Sequence, residues 1–175
     1  VTSGSFQKRG VELFIEATAL IPEEQRENLR FLVVGKESNL AFYQNLAGAH
    51  QLASKYTFSR PIDDVEKLFH ALDLTVLPAK WEEFGRVVIE AMACEKPVIV
   101  SDKVGASEIL EGPARESIFP ADDKFALARM LVRFITDAES RQVIGRVNRE
   151  TAEKYTSLRQ CEKFLKILQK HRLLH

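Results

Sequence analysis

Two glutamates, Glu82 and Glu90, flank Gly85 and Arg86 in the segment of this sequence that contains most of the candidate functional groups. Carboxylates bind hydroxyl groups, whereas backbone N–H groups at the start of a helix bind anions. The pattern therefore predicts a polar ligand that carries hydroxyl groups and an anionic group. The alternative is structural, because Arg86 and Glu90 lie one helical turn apart and could simply form an ion pair with each other.

A helix from Phe84 to Cys94 is predicted to position these groups. With a period of 3.6 residues its core stripe consists of Phe84, Val87, Val88, Ala91 and Met92. Because Ile89 and Ala93 fall on the other side, the helix is apolar nearly all round, which is typical of a buried helix. A buried carboxylate is costly without a partner. We therefore expect the carboxylate of Glu90 to be satisfied either by a ligand or by Arg86.

Short apolar runs around this helix predict a parallel sheet. The six candidate strands are Val1–Ser3, Leu29–Val34, Tyr56–Ser59, Leu74–Leu77, Val98–Val100 and Ser117–Phe119. The predicted helices are Val11–Ile21, Leu40–Ala53, a helix capped by Asp63 or Asp64 that runs to Ala71, Phe84–Cys94, Lys124–Ile135, Glu139–Tyr155 after an Asp137 cap, and Leu158–Leu173. Continuous apolar strands that alternate with helices indicate an α/β fold. We expect a Rossmann-like, doubly wound, mostly parallel six-stranded sheet, with helices on both faces and a helical C-terminal tail.

Cations follow each of the first five predicted strands, at the edge where such folds bind ligands. They are Lys8 and Arg9, Lys36, Arg60, Lys80 and Arg86, and Lys103. We expect at least one phosphate group of a ligand to bind at this edge. The alternative is chance, since 25 Lys and Arg residues are distributed over 175 positions. Carboxylates beside a phosphate site indicate neighbouring hydroxyl groups, and a sugar nucleotide carries both.

Several other functions are disfavoured by composition and by missing motifs. The 25 Lys and Arg residues are balanced by 25 Asp and Glu residues, which gives no overall field to attract nucleic acid. The sequence has no glycine-rich dinucleotide fingerprint, no P-loop and no nucleophile elbow. The four histidines show no metal-ligand spacing. Cys94 and Cys161 are predicted to be buried free thiols, and no apolar run is long enough to span a bilayer.

The order of these motifs resembles the Glu-(seven residues)-Glu signature of retaining GT-B glycosyltransferases. The resemblance is carried by EEFGRVVIEAMA at 82–93 and KPVIVS at 96–101, with Arg9-Gly10, Val33–Gly35 and Phe58–Arg60 in the expected order. Within that family, the sequence looks like the bacterial lipopolysaccharide-core glucosyltransferases and their relatives. The resemblance implies that residues 1–175 form a single Rossmann-like domain that binds a nucleotide sugar. This domain would be the C-terminal half of a GT-B enzyme, without its N-terminal acceptor domain.

The resemblance also implies a role for each matching residue. Glu82 and Arg9 would be the catalytic groups, Glu82 on the hydroxyls of the transferred sugar and Arg9 on the leaving diphosphate. Glu90 would bind the ribose hydroxyls. The other residues implied in nucleotide binding are Lys8, Gly10, Gly35, Arg60, Pro61, Ile62, Phe84, Gly85, Arg86 and Val87. Among these, the backbone of 84–87 would hold the diphosphate and that of 60–62 would contact the base.

The implied reaction is transfer of a hexose, from a UDP-sugar by preference, to a glycan or lipopolysaccharide-type acceptor bound by the N-terminal domain. No cofactor or metal is implied, since cations and helix dipoles would stabilise the departing diphosphate. The isolated domain would bind nucleotide without transferring sugar. A cytoplasmic location is expected. The basic, amphipathic C-terminal helix would either contact the inner face of the cytoplasmic membrane or pack on protein.

The rival function is a non-catalytic, Rossmann-like nucleotide-binding or regulatory module, which would not need Glu82 and Glu90 together. Departures from the family pattern also occur near the site. Glu83 replaces a glycine, Arg9 replaces a lysine, and Val104 replaces a glycine. An added carboxylate at position 83 would repel a diphosphate, so its side chain must either point away from the phosphates or select against a particular ligand.

Overall fold

The computed structural model describes residues 5–170, in which short parallel strands alternate with helices. The strands are β1 (Phe31–Val34), β2 (Tyr56–Ser59), β3 (Thr75–Leu77), β4 (Val98–Ser101) and β5 (Ile118–Phe119). The helices are α1 (Val11–Ala19), α2 (Glu23–Arg26), α3 (Leu40–Ala49), α4 (Val65–His70), α5 (Arg86–Ala93), α6 (Lys124–Thr136), α7 (Ala138–Ala152) and α8 (Ser157–Lys170). Short 3₁₀ segments lie at Ala53–Lys55, Gly105–Ile109, Gly112–Ser117 and Glu153–Tyr155.

The strands form two parallel sheets. One sheet pairs β1 with β2, with Phe31 opposite Tyr56. The other has the order β3-β4-β5, with Thr75 opposite Val98. The α/β architecture and the parallel strands are confirmed. The single six-stranded sheet is wrong for the described residues, because they contain five strands and none of these bridges β1 and β3. The first predicted strand, Val1–Ser3, lies outside the described residues.

The core is continuous around the second sheet. All four residues of β4 are buried, and successive side chains of a strand point to opposite faces. Both faces of β4 are therefore covered. In the surrounding layer α1 packs against α6, and α5 packs against α7.

Helix α1 docks on the first sheet through aromatic rings. Phe14 makes edge-on contacts with Phe31 and Tyr56, at centroid distances of 5.7 and 6.1 Å. Such arrangements are favoured by the quadrupoles of the rings. The hydroxyl of Tyr56 is hydrogen-bonded to that of Thr18 at 2.7 Å. Burial raises the pKa of Tyr56 above its ordinary value, so this hydroxyl stays neutral at physiological pH.

Aspartate caps set several helix starts where the sequence predicts them. Asp64 accepts a hydrogen bond from the N–H of Lys67 at 3.0 Å and begins α4. Asp137 accepts from Ser140 at 2.8 Å and begins α7. These caps satisfy N–H groups that have no acceptor inside the helix.

Two predictions for the C-terminal region need correction or qualification. Cys161 is exposed on α8, so a buried thiol there is wrong, whereas Cys94 is half-buried. The predicted helix Leu158–Leu173 is described only as far as Lys170. No helix in the described part of the chain is long and apolar enough to cross a membrane.

Replacing two helical glycines by alanine should change the free energy of unfolding in opposite directions, because their surroundings differ. A Cβ on Gly145 in α7 would overlap the backbone oxygen of Glu95, whereas a Cβ on Gly48 in α3 would meet nothing within 4 Å. Gly145→Ala should lower the free energy of unfolding by about 2 kcal/mol or more, because the turn after α5 must move. Gly48→Ala should raise it by about 0.5–1 kcal/mol through helix propensity. Urea denaturation measures both, and equal effects would contradict the packing of α7 on this turn.

Candidate functional site

Three loops meet at the carboxyl edge of the strands. They are the 5–10 loop before α1, the 78–85 loop after β3 and the 102–107 loop after β4. The N–H of Lys80 donates to the carbonyl of Lys8 at 3.0 Å. On the other side, Glu82 donates to the carbonyl of Lys103 and accepts from the N–H of Gly105, both at 3.0 Å. Backbone hydrogen bonds therefore fix the 78–85 loop between its two neighbours.

Glycines allow these loops to approach so closely. A Cβ on Gly10 would overlap the carbonyl oxygen of Pro78, and one on Gly105 would overlap that of Glu83. Gly10 and Gly85 also adopt left-handed φ angles of 71° and 84°, each directly before a helix. Glycine reaches this region without steric cost. Gly10 therefore serves both as a turn and as a point of close approach between two backbones.

Arg9 and Glu82, the two residues predicted to be catalytic, form an ion pair at the junction of the loops. Their side chains are 19% and 16% exposed. Burial lowers the pKa of Arg9, but a guanidinium remains protonated in proteins. The structure thus brings together a cation and a carboxylate from segments more than seventy positions apart. An incoming anion would share Arg9 with Glu82 or displace that carboxylate.

The N-terminus of α5 offers hydrogen-bond donors beside this pair. Gly85 is the N-cap residue, and no side chain caps the helix. Within residues 5–170 no acceptor is found for the N–H groups of Phe84 and Gly85. The first N–H groups of a helix likewise lack partners inside it. This cluster of donors can bind an anionic group, and the helix dipole adds to the attraction.

Helix α5 is amphipathic, so the expectation of a helix buried nearly all round is wrong. Its buried residues are Val88, Ala91 and Met92. Arg86 and Glu90 are exposed, and Phe84, expected in the core stripe, is 38% exposed. The reason is that α5 packs on β3, β4 and α7 with one face only. Arg86 and Glu90 form no ion pair in the described structure, so Glu90 presents an open carboxylate.

Another carboxylate, that of Glu37, connects a further loop to the site and was not singled out from the sequence. It accepts hydrogen bonds from the N–H groups of Phe6 and Asn39, each at 3.0 Å. The bonds from Asn39 and Phe6 lower the pKa of Glu37. Gly35 in the same loop donates to the carbonyl of Ser59 at 3.0 Å. The ends of β1 and β2 are therefore joined to the 5–10 loop.

The other predicted residues lie at the same edge without joining the ion pair. Lys8 is exposed, and Gly35 is buried at the end of β1. The segment 60–62, predicted to contact the base, is exposed after β2. Within residues 5–170, Glu90 forms no hydrogen bond or ion pair with Arg9 or Glu82. The structure thus assembles a small central cluster and leaves the outer predicted residues on open surface.

Acidic neighbours reduce the cation excess expected at this edge. Three of the predicted cations form ion pairs, namely Arg9 with Glu82, Lys80 with Asp122 at 3.7 Å, and Lys103 with Asp102 at 3.9 Å. Ion pairs are not found, among residues 5–170, for the four other predicted cations, namely Lys8, Lys36, Arg60 and Arg86. The positive charge available to a ligand is therefore smaller than the sequence count indicates, and depends more on the helix N-terminus.

Two exposed residues flank the central carboxylate. Trp81 is 63% exposed, and sequence reasoning missed it because a lone tryptophan carries no spacing signal. Glu83 is exposed and has no ion pair in the described part of the chain, which agrees with a side chain that points away from the donors. Over the same residues, no group of three His, Cys, Asp or Glu side chains is placed to hold a metal ion.

Comparisons with known proteins give one consistent family. The family model described as "Glycosyl transferases group 1" matches residues 1–151. The lipopolysaccharide core biosynthesis mannosyltransferase LpsB of Rhizobium meliloti (strain 1021) is 32% identical over 138 residues, which cover 74% of this chain and 39% of LpsB. The crystal structure of WaaG, a glycosyltransferase involved in lipopolysaccharide biosynthesis, has a TM-score of 0.77 at 28% identity, covering 85% of this chain and 40% of the WaaG chain.

A further solved structure supports the fold alone. HepE from Anabaena, crystallised in complex with UDP, has a TM-score of 0.83 at 22% identity and covers 96% of this chain and 48% of its own. These neighbours agree with a Rossmann-like α/β domain of the GT-B type. The chain spans about two fifths of the length of the curated relatives it matches.

We expect the connection between the β1 loop and the 5–10 loop to depend on pH, because the Glu37 carboxylate accepts the hydrogen bond that joins them. The folded pKa of Glu37 is depressed, so the stabilisation is present above the unfolded value of about 4.3 and is lost as pH falls through the lower folded value. The Phe6 amide should therefore lose its protection from hydrogen exchange over that acidic range, after correction for the intrinsic exchange rate. In Glu37→Gln this acidic transition should disappear. A transition that persists in the variant would assign it to another group.

Proposed function

Because this chain belongs to the group 1 glycosyl transferases, we propose that it is the donor-binding domain of a retaining enzyme that transfers a hexose from a nucleoside-diphosphate sugar. The observation that carries the proposal is the half-buried Arg9–Glu82 pair beside the uncapped N-terminus of α5. A diphosphate linked to a sugar requires a cation and N–H donors for the phosphates and a carboxylate for the hydroxyls. The three parts meet at the junction of the same loops.

The phosphates bind at the start of α5 in this proposal. The free N–H groups of Phe84 and Gly85 and the helix dipole contact the diphosphate oxygens, and Arg9 contributes a full positive charge. When the bond between the anomeric carbon and the diphosphate breaks, its electrons remain on the diphosphate. Preorganised donors and a cation stabilise that developing charge. This arrangement performs the task that a metal ion performs in other transferases.

The two glutamates divide the hydroxyl groups of the donor between them. Glu82 contacts the transferred sugar, because its carboxylate lies beside Arg9 and therefore beside the bond that breaks. Glu90 binds the ribose hydroxyls, because it is exposed one turn further along the helix that holds the phosphates. This division also explains why a helix surface carries an open carboxylate that the fold itself does not use.

The acceptor belongs to the part of the enzyme outside these residues. LpsB and WaaG act in lipopolysaccharide biosynthesis by their names, and we propose a glycan or lipopolysaccharide-type acceptor here too. The preference for UDP follows from the family resemblance, since the likeness to HepE indicates the fold alone. We place the protein in the cytoplasm. Exposed apolar residues of α8, with Phe164 at 61%, would provide a peripheral contact with the membrane.

Nucleotide and pyrophosphate binding should respond differently to loss of Glu90. Glu90→Ala should weaken UDP binding about tenfold or more, since hydrogen bonds to a charged group contribute about 1.5–3 kcal/mol. Pyrophosphate binding should be unchanged, because Glu90 contacts only the ribose. Isothermal titration with both ligands provides the measurement. Glu150→Ala, an exposed glutamate on α7, is the matched control and should bind both ligands like the original protein.

The outcomes separate the two candidate functions of the chain. A Rossmann-like module that binds nucleotides without catalysis would respond to UDP but would not distinguish UDP from UDP-glucose. Absence of binding by UDP, GDP and ADP would oppose both functions. Sugar transfer by the isolated chain would contradict the assignment of the acceptor site to another domain.

Glu82 should affect the sugar rather than the nucleotide. Glu82→Gln removes the charge that contacts the sugar hydroxyls. It also frees Arg9 from its ion pair, which would change phosphate binding, so the UDP affinity alone does not report on the sugar contact. The ratio of the UDP-glucose affinity to the UDP affinity should fall about fivefold or more, corresponding to about 1 kcal/mol. Titration of both ligands into the variant tests this. An unchanged ratio would remove Glu82 from the sugar site and favour the non-catalytic module.

A further inference from the structure

The carboxylate of Glu37 is an unexpected group at an edge that is proposed to bind a diphosphate. It lies three residues after β1 and is half-buried. Within residues 5–170 no cation forms an ion pair with it. A carboxylate repels phosphate, so its charge alone would weaken binding of the donor. If the diphosphate binds at this edge, Glu37 must contribute something that outweighs the repulsion.

Both oxygens of this carboxylate accept backbone N–H groups, and the two donors come from different segments. Oε2 accepts from the N–H of Phe6 at 3.0 Å, and Oε1 accepts from the N–H of Asn39 at 3.0 Å. Phe6 belongs to the 5–10 loop, whereas Asn39 is the N-cap residue of α3. The ring of Phe6 also packs edge-on against Tyr43 of α3, with the centroids 5.3 Å apart. Glu37 therefore fixes the 5–10 loop to the start of α3.

Short backbone hydrogen bonds connect the anchored end of this loop to Arg9. The N–H of Arg9 donates to the carbonyl of Ser5 at 3.2 Å, and the N–H of Val11 donates to the carbonyl of Phe6 at 3.1 Å. Phe6 is also 1% exposed, so its ring is fixed in the core. Because these bonds close the loop on itself, a displacement of Phe6 also displaces Arg9.

A second attachment fixes the other side of the same loop. The N–H of Lys80 donates to the carbonyl of Lys8 at 3.0 Å, which joins the loop to the segment after β3. Glu37 joins it to the segment after β1. One attachment alone would let the loop pivot, whereas two attachments on different sides determine the direction in which the Arg9 side chain leaves the backbone.

We propose that Glu37 is a positioning residue for donor binding, which holds the 5–10 loop so that the guanidinium of Arg9 faces the diphosphate. This inference rests on the proposed function, because that function assigns Arg9 to the phosphates. A misplacement of about 1 Å in a binding group costs up to about a hundredfold. Repulsion by a partly exposed carboxylate is instead screened by water and salt. The gain from positioning therefore exceeds the repulsion.

Pyrophosphate binding to Glu37→Gln tests the proposal, because positioning and charge predict changes of opposite sign. Glutamine is neutral and has one acceptor oxygen, so it cannot accept both N–H groups. If Glu37 acted only through its charge, the variant would bind pyrophosphate more tightly than the original protein. We expect it to bind about fivefold or more weakly in isothermal titration.

A double-mutant cycle with UDP tests whether Glu37 acts through Arg9. The nucleoside contacts of UDP keep binding measurable when Arg9 is replaced. Glu37→Gln should weaken UDP binding about fivefold in the original protein, but by about twofold or less in the Arg9→Ala background. A residue that only stabilises the fold would cause the same loss in both backgrounds.

Two further variants separate charge and stability from positioning. Glu37→Asp keeps the charge but is one methylene shorter, so it should lose pyrophosphate affinity like Glu37→Gln, whereas an effect of charge alone predicts no change. Asp137→Ala is the matched control. Asp137 also accepts a backbone N–H, from Ser140 at 2.8 Å, but it begins α7 away from the three loops. This variant should bind pyrophosphate like the original protein.

The outcomes distinguish failure of this inference from failure of the proposed function. Pyrophosphate binding by Glu37→Gln that equals or exceeds that of the original protein would overturn the role of Glu37. Equal losses of UDP affinity with and without Arg9 would also overturn it, and in both cases the donor site would stand. If the original protein binds neither ligand, the proposed function fails together with this inference. If Glu37→Gln does not fold, Glu37→Asp decides, and unchanged pyrophosphate affinity in that variant would overturn the role.

Discussion

The close approach of three backbone loops at the carboxyl edge of the strands is the constraint on which the rest of the site depends. The 78–85 loop touches one neighbour at Gly10 and the other at Gly105, where any Cβ would overlap a carbonyl oxygen. Hydrogen bonds from Lys80 and Glu82 fix it in that position. Side chains on such a loop are placed by the backbone and not by their own contacts. Preorganisation of this kind is what electrostatic stabilisation of a leaving group requires.

This constraint has an electrostatic consequence. It brings the carboxylate of Glu82 against the guanidinium of Arg9, and both are half-buried. The pair keeps two charges in place without a ligand, and a bound diphosphate would redistribute them. Because other cations at this edge, such as Lys80 and Lys103, already have acidic neighbours, attraction for an anion comes from the α5 N-terminus and a few side chains. A ligand with both phosphate and hydroxyl groups, as in the proposed function, would use the cation and the carboxylate of this pair together.

The second organising feature is the gap between the sheets. Helix packing, including α1 on α6, holds the two halves together although no described strand connects them. The loops of the candidate site belong to both halves, since the 5–10 loop is joined to the β1 loop through Glu37 and to the β3 loop through Lys80.

The sequence by itself determined the alternation of parallel strands and helices, an aspartate cap for α4 at Asp63 or Asp64 and the Asp137 cap, and it indicated the segment around Glu82 and Glu90 as the candidate site. These depend on local patterns, namely apolar runs, cap residues and spacing, which a linear sequence records directly. Only the tertiary structure decided that α5 is amphipathic, that Arg86 and Glu90 stay apart, that Arg9 meets Glu82, that Cys161 is exposed and that the described strands divide into two sheets. The physical reason is that burial, ion pairing and strand partners depend on residues distant in sequence. A helix that is apolar nearly all round by pattern still exposes a face when nothing packs against it.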